Sequence, residues 1–217
     1  MSSAVASSSC RAHPSLPGSE RVLVLVRHGE ATANAAGLLL GRSDAPLTET
    51  GRAQAEAIGA RLGRVARLVS SPLRRALDTA EALATGVAVE IDDRWVEVDY
   101  GIYEGQPLSE VPTDIWQLWR GDPSYQPEGG ESLAAVAERV REACDELFAS
   151  DGSGARARPE TGDVVVVSHV SPIKAAVAWA LGTGAGLDWR LRLSTGSITV
   201  IGWGAAGPLL HCFNQLP

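Results

Sequence analysis

The sequence predicts an α/β fold: a three-layer α/β/α sandwich whose mostly parallel sheet carries helices on both faces. Three observations predict it. Two short runs, VLVLV at 22–26 and the valines of DVVVVSH at 163–169, are apolar at every position, as strands buried on both faces must be. Such strands alternate along the chain with segments of helical apolar spacing, the pattern of a sheet whose strands are joined through helices. A length of 217 residues suffices for one substantial core and is short for two. Residues 21–217 therefore read as a single domain, preceded by a disordered tail at 1–20 that contains seven serines and no apolar run.

In order along the chain, 22–26 is the first strand. Residues 48–63 are Ala-rich, with Ala53, Ala57, Ile58 and Leu62 at helical spacing and Thr48 as N-cap. RLVSSPLRRALDTAEALA then reads as a short strand, a Ser-Pro helix start and a helix to about Ala84. VAVEI at 87–91 is a strand. Residues 99–130, rich in Gly, Pro and aromatics, hold a short helix around Thr113–Arg120, and a long helix runs from Ser132 to about Ala149. SDGSGARARPETG is a polar linker into the second all-apolar strand. SPIKAAVAWALG is a helix with proline near its first turn, and SITVIGW and LLHCF alternate like closing strands.

Composition narrows the function classes. A net charge of −7 argues against a nucleic-acid partner, since phosphate backbones select basic surfaces. The N-terminus lacks the positive start and apolar segment of a signal peptide, and no apolar run reaches membrane-spanning length. Cys10, Cys144 and Cys212 are far apart and show no metal-ligand spacing, so they read as free thiols of a cytoplasmic protein.

Against that acidic background, basic residues gather at strand ends. The first strand ends in Arg27-His28-Gly29, the next opens a helix bearing Arg74 and Arg75, and the last apolar strand ends in Ser168-His169. In an open α/β sheet, ligands bind beyond the carboxyl ends of the strands. With these strands parallel, Arg27, His28, Arg74 and His169 converge on one rim, which is then an anion site. Each piece alone has an ordinary explanation. An Arg pair on a helix, for instance, is commonly a solvated face paired with Asp78 or Glu81.

Taken together, RHGEATAN, GRSDAPLTETGRAQA, SSPLRRALDTA, EVDYGIYEG, GGES and SHVSPIK resemble the histidine phosphatase (phosphoglycerate mutase-like) superfamily, in the family's order from Arg27 to Lys174. The wording of SHVSPIK and a late NQ resemble its α-ribazole phosphatase-like branch, including proteins in which such a domain is fused to a ribonuclease H domain; no nuclease role is expected here. The resemblance implies that His28 is the nucleophile, forming a phosphohistidine that water opens. One ring nitrogen must then be free while an acceptor such as a nearby backbone carbonyl holds the proton on the other. Arg27, Arg74, Asn34 and His169 would surround the phosphoryl oxygens, and His169 would share in catalysis. Glu97 would protonate the leaving oxygen and take a proton from the attacking water, with Asp99 and Glu104 as lesser candidates. No metal or other cofactor is called for. Val170-Ser171 departs from the family's frequent Gly-Gly, which predicts a looser or rearranged backbone approach to the phosphate.

The same centre serves phosphatases and cofactor-dependent phosphoglycerate mutases. A mutase needs extra cations to hold a second acidic group, yet from Tyr100 to Glu131 Arg120 is the sole Lys or Arg. The aromatics Tyr103, Trp116, Trp119 and Tyr125 could instead be core packing or a lid over a ring-bearing substrate. The expected function is therefore a phosphatase acting on a small phosphomonoester such as α-ribazole phosphate or a sugar phosphate. A non-catalytic phospho-ligand binding protein is the reading from another class. No membrane partner is expected. The tail strands and the aromatic loop are surfaces on which a homodimer could form.

Overall fold

The computed structural model describes residues 22–148, 162–204 and 207–217. The expected tail at 1–20 and most of the polar linker lie outside them. Among the described residues the sheet has six strands, β1 (Leu23–Arg27), β2 (Val65–Ser70), β3 (Val89–Ile91), β4 (Asp163–Ser168), β5 (Ile198–Gly204) and β6 (Gly207–Gln215), in the order β3-β2-β4-β1-β5-β6. The first four strands run parallel to one another, and β5 and β6 are antiparallel additions on the β1 side. Both all-apolar runs fall on the two central strands.

Strand alternation divides the core in two. Leu23, Leu25, Val164 and Val166 face α5 (Leu133–Phe148) and α6 (Val170–Ala180), with Trp95 filling the space between. Val24, Val26, Val165 and Val167 face the opposite way, onto Ile58 of α2 (Glu49–Gly59) and Ala76, Ala80 and Leu83 of α3 (Arg74–Ala82) and its end. The three-layer expectation holds. Thr48 caps α2 by accepting from the Gly51 amide at 3.0 Å. The buried stripe of that helix is Gly51, Ala55 and Ile58, whereas Ala53 and Ala57 face solvent. Alanine fits either face, so its spacing alone could not place the stripe. β3 is shorter than VAVEI because Val87 is held in a turn by Thr85 Oγ1 at 3.2 Å.

A third, smaller core stands over the carboxyl ends of the strands. Trp119 of α4 (Thr113–Gly121) is 3% exposed, with the rings of Tyr100, Tyr103, Trp116 and Tyr125 at 5.3–6.1 Å around it. Trp189 packs on Trp116 and donates to the Trp119 carbonyl at 2.9 Å. These aromatics first of all pack on one another. Among the described residues no helix is long and apolar enough to cross a membrane.

Candidate active site

Register builds the site. β1 and β4 are neighbours with Arg27 opposite Ser168, so His28 and His169 emerge side by side one residue further on, their rings 5.1 Å apart. Both are buried. His28 Nδ1 lies 2.7 Å from the Gly29 carbonyl. A carbonyl only accepts, so Nδ1 carries the proton and Nε2 keeps its lone pair, as the nucleophile's role requires.

Facing that lone pair is Arg75, not Arg74. The Arg75 Nε–H is shared between His28 Nε2 at 3.3 Å and His169 Nδ1 at 3.2 Å. Its Nη1 and Nη2 donate to the carbonyls of Ser43 at 2.8 Å and Gly41 at 2.5 Å. Arg74 instead begins α3 on its outer side, with a side chain 60% exposed and paired with Asp78 at 3.6 Å. Successive helical residues are turned by about 100°, so only one of two adjacent arginines can face the rim. The buried stripe Arg75, Ala76, Thr79 and Ala80 decides which one. The ordinary helix-face ion pair expected of an Arg pair is the fate of Arg74.

His169 receives Arg75 at Nδ1, so its proton sits on Nε2 and is donated to Ser71 Oγ at 2.7 Å. Both histidines are thereby neutral. Burial first, and then the Arg27 and Arg75 charges, hold them well below the ordinary imidazole value of 6.5. Thr79 couples the two elements, accepting from the Gly29 amide at 3.1 Å and donating to the Arg75 carbonyl at 2.7 Å.

Arg27 donates through Nη1 to the Leu193 carbonyl at 2.6 Å, while its Nε is buried with no hydrogen-bond partner among the described residues. Burial lowers its pKa to about 10, partly offset by Glu97. It stays cationic at neutral pH, and an unsatisfied guanidinium N–H beside two neutral histidines suits a phosphoryl oxygen.

Glu97 is 3% exposed. Its Oε1 accepts from the amides of Val98 at 2.8 Å and Ser171 at 3.1 Å, and its Oε2 from Val170 at 3.0 Å. The departure Val170-Ser171 thus turns its first-turn amides to the carboxylate, at the positive end of α6. Arg139 of α5 holds the segment leading to Glu97 through the Arg94 carbonyl at 2.6 Å, and Ser168 Oγ donates to the Trp95 carbonyl at 2.7 Å. The lesser acid candidates are engaged elsewhere. Asp99 accepts from the Gly101 amide and faces Arg42 at 3.8 Å, and Glu104 accepts from the amides of Gly41 and Ser43. Asn34 Oδ1 accepts from the Ala31 amide at 3.1 Å, starting the short helix α1 (Thr32–Ala35), and leaves the carboxamide N–H groups as the part a phosphate could meet. Tyr100 joins the group unforeseen. Burial pushes its phenol well up, its hydroxyl pairs with Ser171, and Glu97 and Arg27 are its charged neighbours.

Residues 23–216 match the family model of the histidine phosphatase superfamily (branch 1). The chain belongs to that superfamily. Bifunctional protein Rv2228c of Mycobacterium tuberculosis is 36% identical over 198 residues, 88% of this chain and 52% of that protein. The chain therefore spans about half the length of that curated relative. Glucosyl-3-phosphoglycerate phosphatase of M. tuberculosis is 38% identical over 165 residues, 73% of this chain and 74% of that protein. A solved structure of the mycobacterial enzyme of that name with VO3 superposes with a TM-score of 0.78 at 33% identity, covering 90% of this chain and 99% of the other. A putative α-ribazole-5'-P phosphatase structure from Escherichia coli gives 0.75 at 25% identity, covering 90% and 97%. Within this histidine phosphatase superfamily chain, the matched span contains every residue of the rim described above.

Proposed function

We propose that this protein is a metal-independent phosphomonoesterase that works through a phosphohistidine on His28. The observation that carries the reading is the His28 ring: its proton is held by the Gly29 carbonyl, and its Nε2 lone pair stands beside Arg75. Nε2 attacks phosphorus, the P–O bond to the alcohol breaks, and the alkoxide takes a proton from Glu97, which enters this step as the neutral acid, protonated as the ester dianion binds beside it. Water then attacks the phosphohistidine, returns a proton to Glu97 and frees inorganic phosphate. The Arg75 Nε–H, stretched between two imidazoles, passes to a phosphoryl oxygen when one arrives. Arg27 Nε finds its missing acceptor in the same group, and Asn34 and His169 complete the surround. Such preplaced donors act on the charge that moves in the transition state.

The substrate class is a small phosphorylated metabolite. The relatives' names point to phosphorylated sugar acids, and α-ribazole phosphate or a simple sugar phosphate suits the same chemistry. A phosphatase is favoured over a mutase because Arg120, the sole Lys or Arg between Tyr100 and Glu131, lies over the Trp189 ring at 5.6 Å, which leaves that segment without the cationic grip a mutase needs. The test is phosphate release in the presence of chelator from p-nitrophenyl phosphate, α-ribazole phosphate, glucosyl-3-phosphoglycerate, sugar phosphates and 3-phosphoglycerate. Release is expected, and His28→Ala should abolish it. Conversion of 3-phosphoglycerate to its 2-isomer without release, after priming with bisphosphoglycerate, would instead establish a mutase. Phosphate-ester binding with neither reaction would establish a binding protein.

A further inference from the structure

We propose that Glu104 is a positioning residue for Arg75, acting through the backbone of residues 41–43; the inference rests on the phosphatase reading of the site. The Glu104 carboxylate accepts from the Gly41 amide at 2.9 and 3.1 Å and from the Ser43 amide at 2.9 Å. The carbonyls of those same two residues accept from the Nη2 and Nη1 of Arg75 at 2.5 and 2.8 Å. Arg75 Nε then reaches both histidines. One carboxylate thus grips the donor side of a three-residue loop whose acceptor side grips the guanidinium. With both Nη groups fixed on carbonyls, the planar fork can aim its Nε–H in only one direction.

Three further observations bear on this arrangement. A Cβ on Gly41 would collide with the Glu104 carboxylate and come within 2.6 Å of the Val98 carbonyl oxygen, so the loop lies against Glu104 too closely for any side chain at 41. The strand-like pairing of Leu39 with Gly105 and Gln106, at 2.8 Å in both directions, holds the Glu104 segment beside the loop's entry. Glu104 and Asp44 are also among the charges that stabilise the buried Arg75 cation, which burial itself disfavours. A neutral acceptor at 104 would lose that support and one of its acceptor oxygens.

The experiment combines Glu104→Gln, Glu104→Ala, Gly41→Ala, Arg75→Ala and the double variant Glu104→Ala/Arg75→Ala. It measures kcat and KM for p-nitrophenyl phosphate, the affinity for orthovanadate by calorimetry, and the 15N shifts of the His28 and His169 rings. Glu104→Ala and Gly41→Ala should each lower kcat/KM by roughly 10- to 100-fold, and Glu104→Gln by less. The double variant should be within about threefold of Arg75→Ala, because a residue acting only through Arg75 adds nothing once Arg75 is gone. In the ligand-free protein, Glu104→Gln should move the His28 Nε2 and His169 Nδ1 resonances. Losses that multiply in the double variant, or unchanged ring shifts in Glu104→Gln, overturn the proposal. Should Glu104→Ala fail to fold, the Gln and Gly41 variants carry the same test. A wild-type protein that hydrolyses no ester yet shows the shift response would sink the phosphatase reading alone.

Discussion

At the residue scale the decisive fact is which of two adjacent arginines faces the histidines. Arg75 is fully buried, its guanidinium fixed by four hydrogen bonds to two imidazoles and two carbonyls, whereas Arg74 lies in solvent beside Asp78. Arg75→Ala should therefore lower kcat/KM by about 10²- to 10³-fold, the usual cost of removing a preorganised charge donor. Arg74→Ala should stay within about twofold, since an exposed i,i+4 pair contributes only a few tenths of a kcal/mol. Steady-state kinetics on both variants checks this, and equal losses would contradict the placement. The sequence holds a clue in the spacing of Arg75 to Thr79 and Ala76 to Ala80, but choosing between neighbours needs the helix phase, which depends on what the helix packs against. His28, His169 and Arg27 were legible because strand ends in a parallel sheet converge whatever the details of packing. Glu97 was legible only through family resemblance; nothing in WVEVDY shows by itself that three amides will surround one carboxylate.

At the element scale, the entry to α2 lies hard against the loop after β1. Thr48 Oγ1 donates to the Glu30 carboxylate at 2.8 Å, and Gln54 Oε1 accepts from the Glu30 amide at 2.9 Å. A Cβ on Gly51 would strike the Glu30 carbonyl, and one on Gly29 would strike the Gly51 carbonyl. Two effects oppose each other at Gly51. Helix propensity favours alanine by about 1 kcal/mol. Overpacking against backbone costs about 1–3 kcal/mol, and backbone cannot rotate away as a side chain can. The clash should win, so Gly51→Ala should lower the urea midpoint, whereas Gly121→Ala, with open space around its Cβ, should leave it unchanged or raised. The elements themselves were largely legible: apolar runs, the Thr48 cap and the Pro172 helix start all mark backbone states that local chemistry favours. The division of labour among the aromatics was not, because whether Trp119 lines a site or packs a core depends on Tyr103, Trp116 and Tyr125 meeting around it in space.

At the scale of the whole molecule, two buried neutral histidines tie stability to pH. In the unfolded chain each takes up a proton near 6.5, and in the folded protein each does so only well below that value. Between those limits the unfolded state binds more protons. The contribution is fully present above pH 6.5 and is lost as pH falls below it, by up to about 1.4 kcal/mol per pH unit for each histidine. Urea unfolding between pH 7.5 and 5.5 should show the midpoint falling on the acid side, and the His28→Gln/His169→Gln variant should flatten that slope. Catalysis has the opposite tolerance: His28 keeps its lone pair below the pH at which a free imidazole would lose it. The sheet order carries a further consequence. The groups around the histidine pair come from the ends of β1, β2 and β4, from the 41–43 loop, from the turn after β3, and from the approach to β5 through the Leu193 carbonyl. No contiguous fragment contains them. An oxyanion lodged there would act as a keystone, its grip weakening with the opening of any one of those segments, so that retention of phosphate measures the integrity of the entire arch.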